Sequence, residues 1–337
     1  LREDFRETDN DFPPEFFNIL LLRRRFIFSL SSSGELKFRD PTGVDFENPT
    51  KSIEDFLPTD ATNLLLWLDA DDNTTIFANH SSNNAQLALS TVGRWKDKSG
   101  LDNNVSQISS GERPILVKNS INGLPSVSFD GIDDSLEASS RLGLSANPDL
   151  LLLMVSSVDS NKTAVDTFFA LGNGPSSTLT LATGTDGWSW RFGDGSNIYG
   201  TVSSSPGLQV WERSSGSDYE SSKMYLNGSE IAGTSSGGSK LPTDNSNNIN
   251  IGYSLFSGKI GEFIVLNSTS SIDRQKLEGY LAHKWGLSTS LPDSHPYKYN
   301  YPSHIKWERS VRITDATGIY SDHNFTIRVA NNNDNTP

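Results

Sequence analysis

The stretch Leu64-Leu65-Leu66-Trp67-Leu68-Asp69-Ala70 decides the fold class. Five consecutive apolar residues ending at an aspartate read as a short strand, and the same kind of run recurs along the chain. Ser126 to Phe129, Leu150 to Val155, Leu179 to Leu181, Met224 to Leu226 and Gly261 to Leu266 are further strands, parted by Gly, Asn, Asp and Ser turns. Many short strands with turn residues between them imply a sandwich or barrel. Towards the N-terminus, Phe26, Phe28 and Leu30 alternate, as do Leu36 and Phe38 beyond Ser31-Ser32-Ser33-Gly34, which predicts a β-hairpin buried on one face. Near the C-terminus Val311-Arg312-Ile313 and then Phe325, Ile327 and Val329 return to period two. One segment differs. Leu277, Tyr280, Leu281 and Trp285 stand at helical spacing, Ser270 is placed to cap the N-terminus, and Gly286 supplies the stop.

Composition bounds the partners. The 337 residues suggest two domains of ~150 residues each. With 28 Lys plus Arg against 41 Asp plus Glu, the net charge of −13 repels a phosphate backbone, so nucleic acid is excluded as an expected partner. Carboxylate- and Asn-rich turns suit calcium, which takes hard oxygen ligands. No cysteine is present, which removes disulfides, thiolate zinc sites and cysteine nucleophiles together. The apolar runs Ile19 to Leu22 and Leu150 to Val155 fall far short of the ~20 residues of a membrane span. Lacking an initiating methionine and ending in a polar Asn-Asp stretch, the chain reads as a piece of a longer extracellular or cell-surface protein.

Several motifs occur in a family's order. Leu66-Trp67-Leu68-Asp69-Ala70, Trp95-Lys96-Asp97-Lys98-Ser99-Gly100, Arg113-Pro114, Asn122-Gly123-Leu124-Pro125 and Phe129-Asp130-Gly131-Ile132-Asp133-Asp134 come first. Lys259 to Val265, the helix Arg274 to Leu287, Leu291-Pro292 and His295-Pro296-Tyr297 close the series. Together they resemble bacterial laminin-G-like jellyroll domains over residues 60–298. That resemblance implies two packed antiparallel sheets similar to concanavalin A, with a ligand surface on loops or on a concave face. Around it, Phe28 to Phe38 with Val44-Asp45-Phe46-Glu47-Asn48-Pro49, and then residues 305–337, resemble the halves of a cadherin-like repeat. The expected organisation is therefore an unassigned segment 1–25, a first cadherin-like part 26–58, the jellyroll, and the last cadherin-like strands with their linker. Asn331 stands where the cadherin linker usually carries an aspartate.

The candidate sites follow. Asp45 and Glu47, one residue apart, point to the same side of an extended segment and can share a calcium ion with Asn333, Asp334 and Asn335; Asp315 is a further ligand candidate. The alternative is that these are solvated turn residues. In the jellyroll, Asp69, Asp71, Asp72, Asp130, Asp133 and Asp134 cluster in turns and offer ligands for a cation, although turn chemistry explains them equally well. Trp188, Trp190, Tyr199 and Trp211 can stack on sugar rings or pack in the core. His283 and His295 read as structural, and Lys284 and Glu278 as solvated helix charges.

No Glu-x-Asp-x-Glu run marks a sandwich glycosidase, and Gly-x-Ser-x-Gly, phosphate-loop and His-Glu-x-x-His motifs are missing. The expectation is a non-catalytic adhesion module for carbohydrate, a glycosylated surface or neighbouring repeats. A structural spacer and a polysaccharide-active hydrolase are the alternatives.

Overall fold

The computed structural model describes residues 20–21, 24–25, 27–30, 36–39, 45–46, 50–81, 91–138, 140–145, 147–158, 166–171, 179–184, 187–192, 195–200, 204–216, 221–236, 248–253, 255–314 and 320–329. Contacts divide the chain into two compact units, Phe56–Pro302 and the pair of segments Leu1–Asp55 with Ser303–Pro337.

In the larger unit the described strands form a ten-stranded and an eight-stranded antiparallel sheet, giving an all-β sandwich with one long helix. The strand Leu150–Val158 shows why its sequence is apolar without alternation. Leu150, Leu152 and Met154 face the core between the sheets. Leu151, Leu153 and Val155 face a second core, between the eight-stranded sheet and the helix Ser271–Lys284. A strand covered on both faces reads as a continuous hydrophobic run. The strand Leu64–Asp69 behaves alike, with Leu66 and Leu68 in the first core and Trp67 in the second.

The helix begins where expected. The Ser270 side chain accepts the Asp273 N–H, and Gly286 at φ +67° ends the segment. Asp273 does not complete a reciprocal cap; its carboxylate accepts the Thr62 N–H instead. Lys276 and Glu278 are both buried, so the expectation of solvated helix charges fails for Glu278. The helix is covered by the sheet on one side and approached by the 291–302 segment on another, so its charges need partners within the fold.

In the other unit Ile27–Leu30 pairs with Leu36–Arg39, the expected hairpin. Ser303–Thr314 pairs with Tyr320–Val329, with Thr50–Asp55 and, through Arg312, with Asp45. The two C-terminal strands are thus longer than the short alternating runs that announce them.

Candidate functional site

One end of the sandwich gathers carboxylates. Asp130 closes the strand Leu124–Asp130 and pairs with Ser257, while Leu136 opens the next strand and pairs with Ile251. The loop 131–135 and the described residues 252, 253, 255 and 256 therefore cross between the two sheets side by side. Their base is apolar: the Phe129 and Phe256 rings meet edge to face at 5.5 Å. A Cβ on Gly252, which sits at φ +76°, would lie 2.2 Å from the Phe129 ring, so glycine alone permits this close crossing.

On this base Asp130, Asp133 and Asp134 bring carboxylate oxygens within 4.8 Å of one another. Asp134 is nearly buried, and one of its oxygens accepts the Asp130 N–H at 2.9 Å. Asp130 in turn accepts the N–H groups of Ile132 at 2.8 Å and Asp133 at 3.4 Å. Burial, joined by the charges of Asp130 and Asp133 and opposed by the Asp130 N–H, pushes the Asp134 carboxyl up to about 6. Around the carboxylates Ile132 is 71% exposed, Tyr253 41% and Leu255 44%.

Asp69 stands apart from this loop. Its carboxylate accepts from Lys98 at 2.8 Å and Lys284 at 2.6 Å, so both lone-pair sides are committed to cations of the chain itself. Asp72 also pairs with Lys98, at 2.9 Å. Burial opposes the Lys98 charge, yet hydrogen bonds and attraction from Asp69 and Asp72 prevail and raise its pKa.

The aromatic residues proposed as a sugar platform lie elsewhere. Trp188, Tyr199 and Trp211 are at most 1% exposed and belong to the core between the sheets, where Trp188 and Trp211 pack at 5.6 Å. This corrects the stacking expectation, because a side chain pointing between two packed sheets has no free face. The Trp190 side chain lies outside the described residues. So do Glu47, Asp315, Asn333, Asp334 and Asn335, while Asp45 is described as a strand residue opposite Arg312.

Two buried networks escaped the sequence reading. Glu262, fully buried, accepts from the Trp67 indole at 2.7 Å, the Trp285 indole at 2.8 Å, the Tyr280 hydroxyl at 2.9 Å and Lys284 at 2.8 Å. Burial, with Asp69 adding to it, raises its pKa against the pull of Lys284. Arg274 Nη1 donates to both carboxylate oxygens of Glu278, at 2.8 and 2.9 Å, and Glu278 contacts His295 at 3.1 Å. Arg274 also covers the Tyr225 ring at 3.9 Å. His283 meets the Tyr297 carbonyl at 2.8 Å, in keeping with a structural histidine. Trp67, Glu262, Tyr280, Lys284 and Trp285 all lie within short motifs quoted from the sequence above, but nothing in those motifs announces that they meet.

No protein-family model matches the chain, and no curated protein matches it in sequence. Among solved structures it is similar to domain 4 of AbnA, a GH43 extracellular arabinanase from Geobacillus stearothermophilus, in complex with arabinotriose. That alignment has a TM-score of 0.44 and 13% identity over 62% of this chain and 94% of that one. The botulinum neurotoxin serotype D binding domain aligns at TM-score 0.41 and 11% identity, over 78% of this chain and 69% of that one. An arabinofuranosidase complexed with arabinofuranosyl-alpha-1,2-xylobiose aligns at 0.39 and 12%, over 56% of this chain and 50% of that one.

Proposed function

We propose that the Phe56–Pro302 unit is an extracellular, non-catalytic carbohydrate-binding module, with its ligand site on the paired loops 131–135 and 252–256 and a calcium ion held by Asp130, Asp133 and Asp134. The observation that carries this reading is the exposed Tyr253 and Ile132 beside a carboxylate cluster at one end of the sandwich. A tyrosine face complements the C–H face of a sugar ring, carboxylate oxygens accept from its hydroxyls, and a calcium ion takes hydroxyl oxygens as ligands. The 1–55/303–337 unit is read as a cadherin-like frame, in which Asp45 and Glu47 contribute to a second calcium site. Its support is the antiparallel sheet that joins strands from both ends of the chain.

A hydrolase is the second reading, favoured by one observation: Asp134, at about 6, has the raised pKa of a general acid next to two exposed carboxylates. Against it, all three groups come from one short loop and Asp134 commits an oxygen to the backbone. Hydrolysis needs carboxyls on opposite faces of the scissile bond.

The test is affinity electrophoresis of the whole chain through gels cast with plant and bacterial polysaccharides, in calcium and in chelator. Calcium-dependent retardation that Tyr253→Ala and Asp133→Asn each abolish is the expected result. Retardation unchanged by both substitutions removes the site from these loops, and release of reducing ends from a retained polysaccharide establishes the hydrolase instead.

A further inference from the structure

The Lys284 ammonium is held between two carboxylates inside the fold. Its Nζ lies 2.6 Å from Asp69 Oδ1 and 2.8 Å from Glu262 Oε2, and the acidic side chains are 5% and 0% exposed. Asp69 and Glu262 are direct cross-strand partners, and the helix delivers Lys284 onto them from outside the sheet. The Trp285 and Tyr280 rings lie 5.6 and 5.7 Å from Nζ, and Trp67 closes the far side of Glu262. A lysine and two carboxyls able to carry protons between them are thus in contact, the carboxyls buried and the Lys284 side chain 17% exposed.

We propose that Lys284 and Asp69 are a modification site, at which the two side chains condense to an intramolecular amide crosslink tying the helix to the strand Leu64–Asp69. Glu262 takes one proton from the Lys284 ammonium and frees the nitrogen lone pair. The nitrogen attacks Asp69 Cγ, and the developing charge on Oδ2 is met by Lys98 at 2.8 Å. The C–Oδ1 bond breaks, and that oxygen leaves as water with the proton returned by Glu262 and a second one from the nitrogen. One ammonium and one carboxylate become one amide and one water, so atoms and charge balance without any co-reactant. Glu262 supports this role because burial, aided by Asp69, favours its protonated form. The geometry supplies proximity, which replaces an encounter between separate reactants.

The experiment is intact-mass spectrometry of the folded whole chain, followed by peptide mapping. The expected result is a deficit of one water, about 18 Da, located on a peptide pair joining Asp69 to Lys284. The same deficit should be missing in Lys284→Arg, which keeps the cation, and in Glu262→Gln, which keeps the shape. Full mass in the folded wild-type chain overturns the proposal and leaves an ion pair only. A deficit that maps to Lys98, or to a cyclised Asp-Gly step such as Asp130-Gly131, overturns it as well. None of these outcomes depends on sugar or calcium binding, so the two readings stand or fall separately.

Discussion

A methyl group on Gly261 tests whether the helix is seated as described. A Cβ there would meet three atoms of the Trp285 ring, at 2.5, 2.6 and 3.0 Å, in the middle of the strand Ser257–Leu266, which is paired on both sides. Ordinary carbon contacts need 3.5–4.0 Å, so the ring must retreat by about 1 Å. Retreat stretches the 2.8 Å bond from the Trp285 indole to the buried Glu262, which keeps Trp67, Tyr280 and Lys284 as its remaining donors. Overpacking costs about 1–3 kcal/mol, and weakening a hydrogen bond to a buried charge about 1.5–3 kcal/mol. Gly261→Ala should therefore destabilise the unit by about 2.5–6 kcal/mol. The assay is urea unfolding followed by circular dichroism, comparing midpoints at constant slope. In a Trp285→Phe background the three offended ring atoms no longer exist, so the same alanine should cost under about 1 kcal/mol, leaving a coupling of at least about 1.5 kcal/mol. Equal costs in the two backgrounds would refute the packing argument.

Three further outcomes are expected. Arg274→Ala leaves the buried Glu278 with His295 as its one remaining side-chain partner among the described residues and should cost about 3–5 kcal/mol, measured by thermal or urea unfolding; a loss under about 1 kcal/mol shows that the network is solvated. Asp134 has a folded-state pKa of about 6 against a usual 3.8, so its ionisation burdens the fold. Without metal, its contribution is favourable below the usual value and is lost as pH rises towards 6; calcium relieves the burden, so affinity read by calorimetry should climb between pH 5 and about 7, and a flat profile removes Asp134 from the site. With Asp133→Asn the Asp134 carboxyl loses a repelling neighbour, and its titration, followed by NMR, should move down; an unmoved midpoint shows that Asp133 does not act on it.

Local pattern carried the elements but not their partners. The 27–30/36–39 hairpin and the helix, with its Ser270 cap and Gly286 stop, were readable because periodicity and capping act over a few residues. Glu262 carries no signal in its own strand because its partner Trp67 is 195 residues away in sequence. Glu278 looked solvated for the same reason: nothing near it in the sequence announces that the 291–302 segment folds back over the helix with His295. Trp188 and Trp211 posed a different problem. Alternation places side chains on one face of a strand, and only the second sheet decides that this face is interior. The Asp130–Asp134 loop was visible as turn chemistry, whereas its neighbour Tyr253 was not, since the adjacency of the two loops is set by strand register.

Phe56 and Pro302, the first and last residues of the sandwich unit, are joined by a 2.8 Å backbone hydrogen bond, and the flanking Asp55 and Ser303 are a strand pair. A guest domain whose ends meet in this way can be spliced into a β-hairpin of a host with little regard to its own length, because its fold has already closed the loop that the host would otherwise have to order. The expected consequence is that residues 56–302 expressed alone keep their fold, which circular dichroism and urea unfolding beside the whole chain would check.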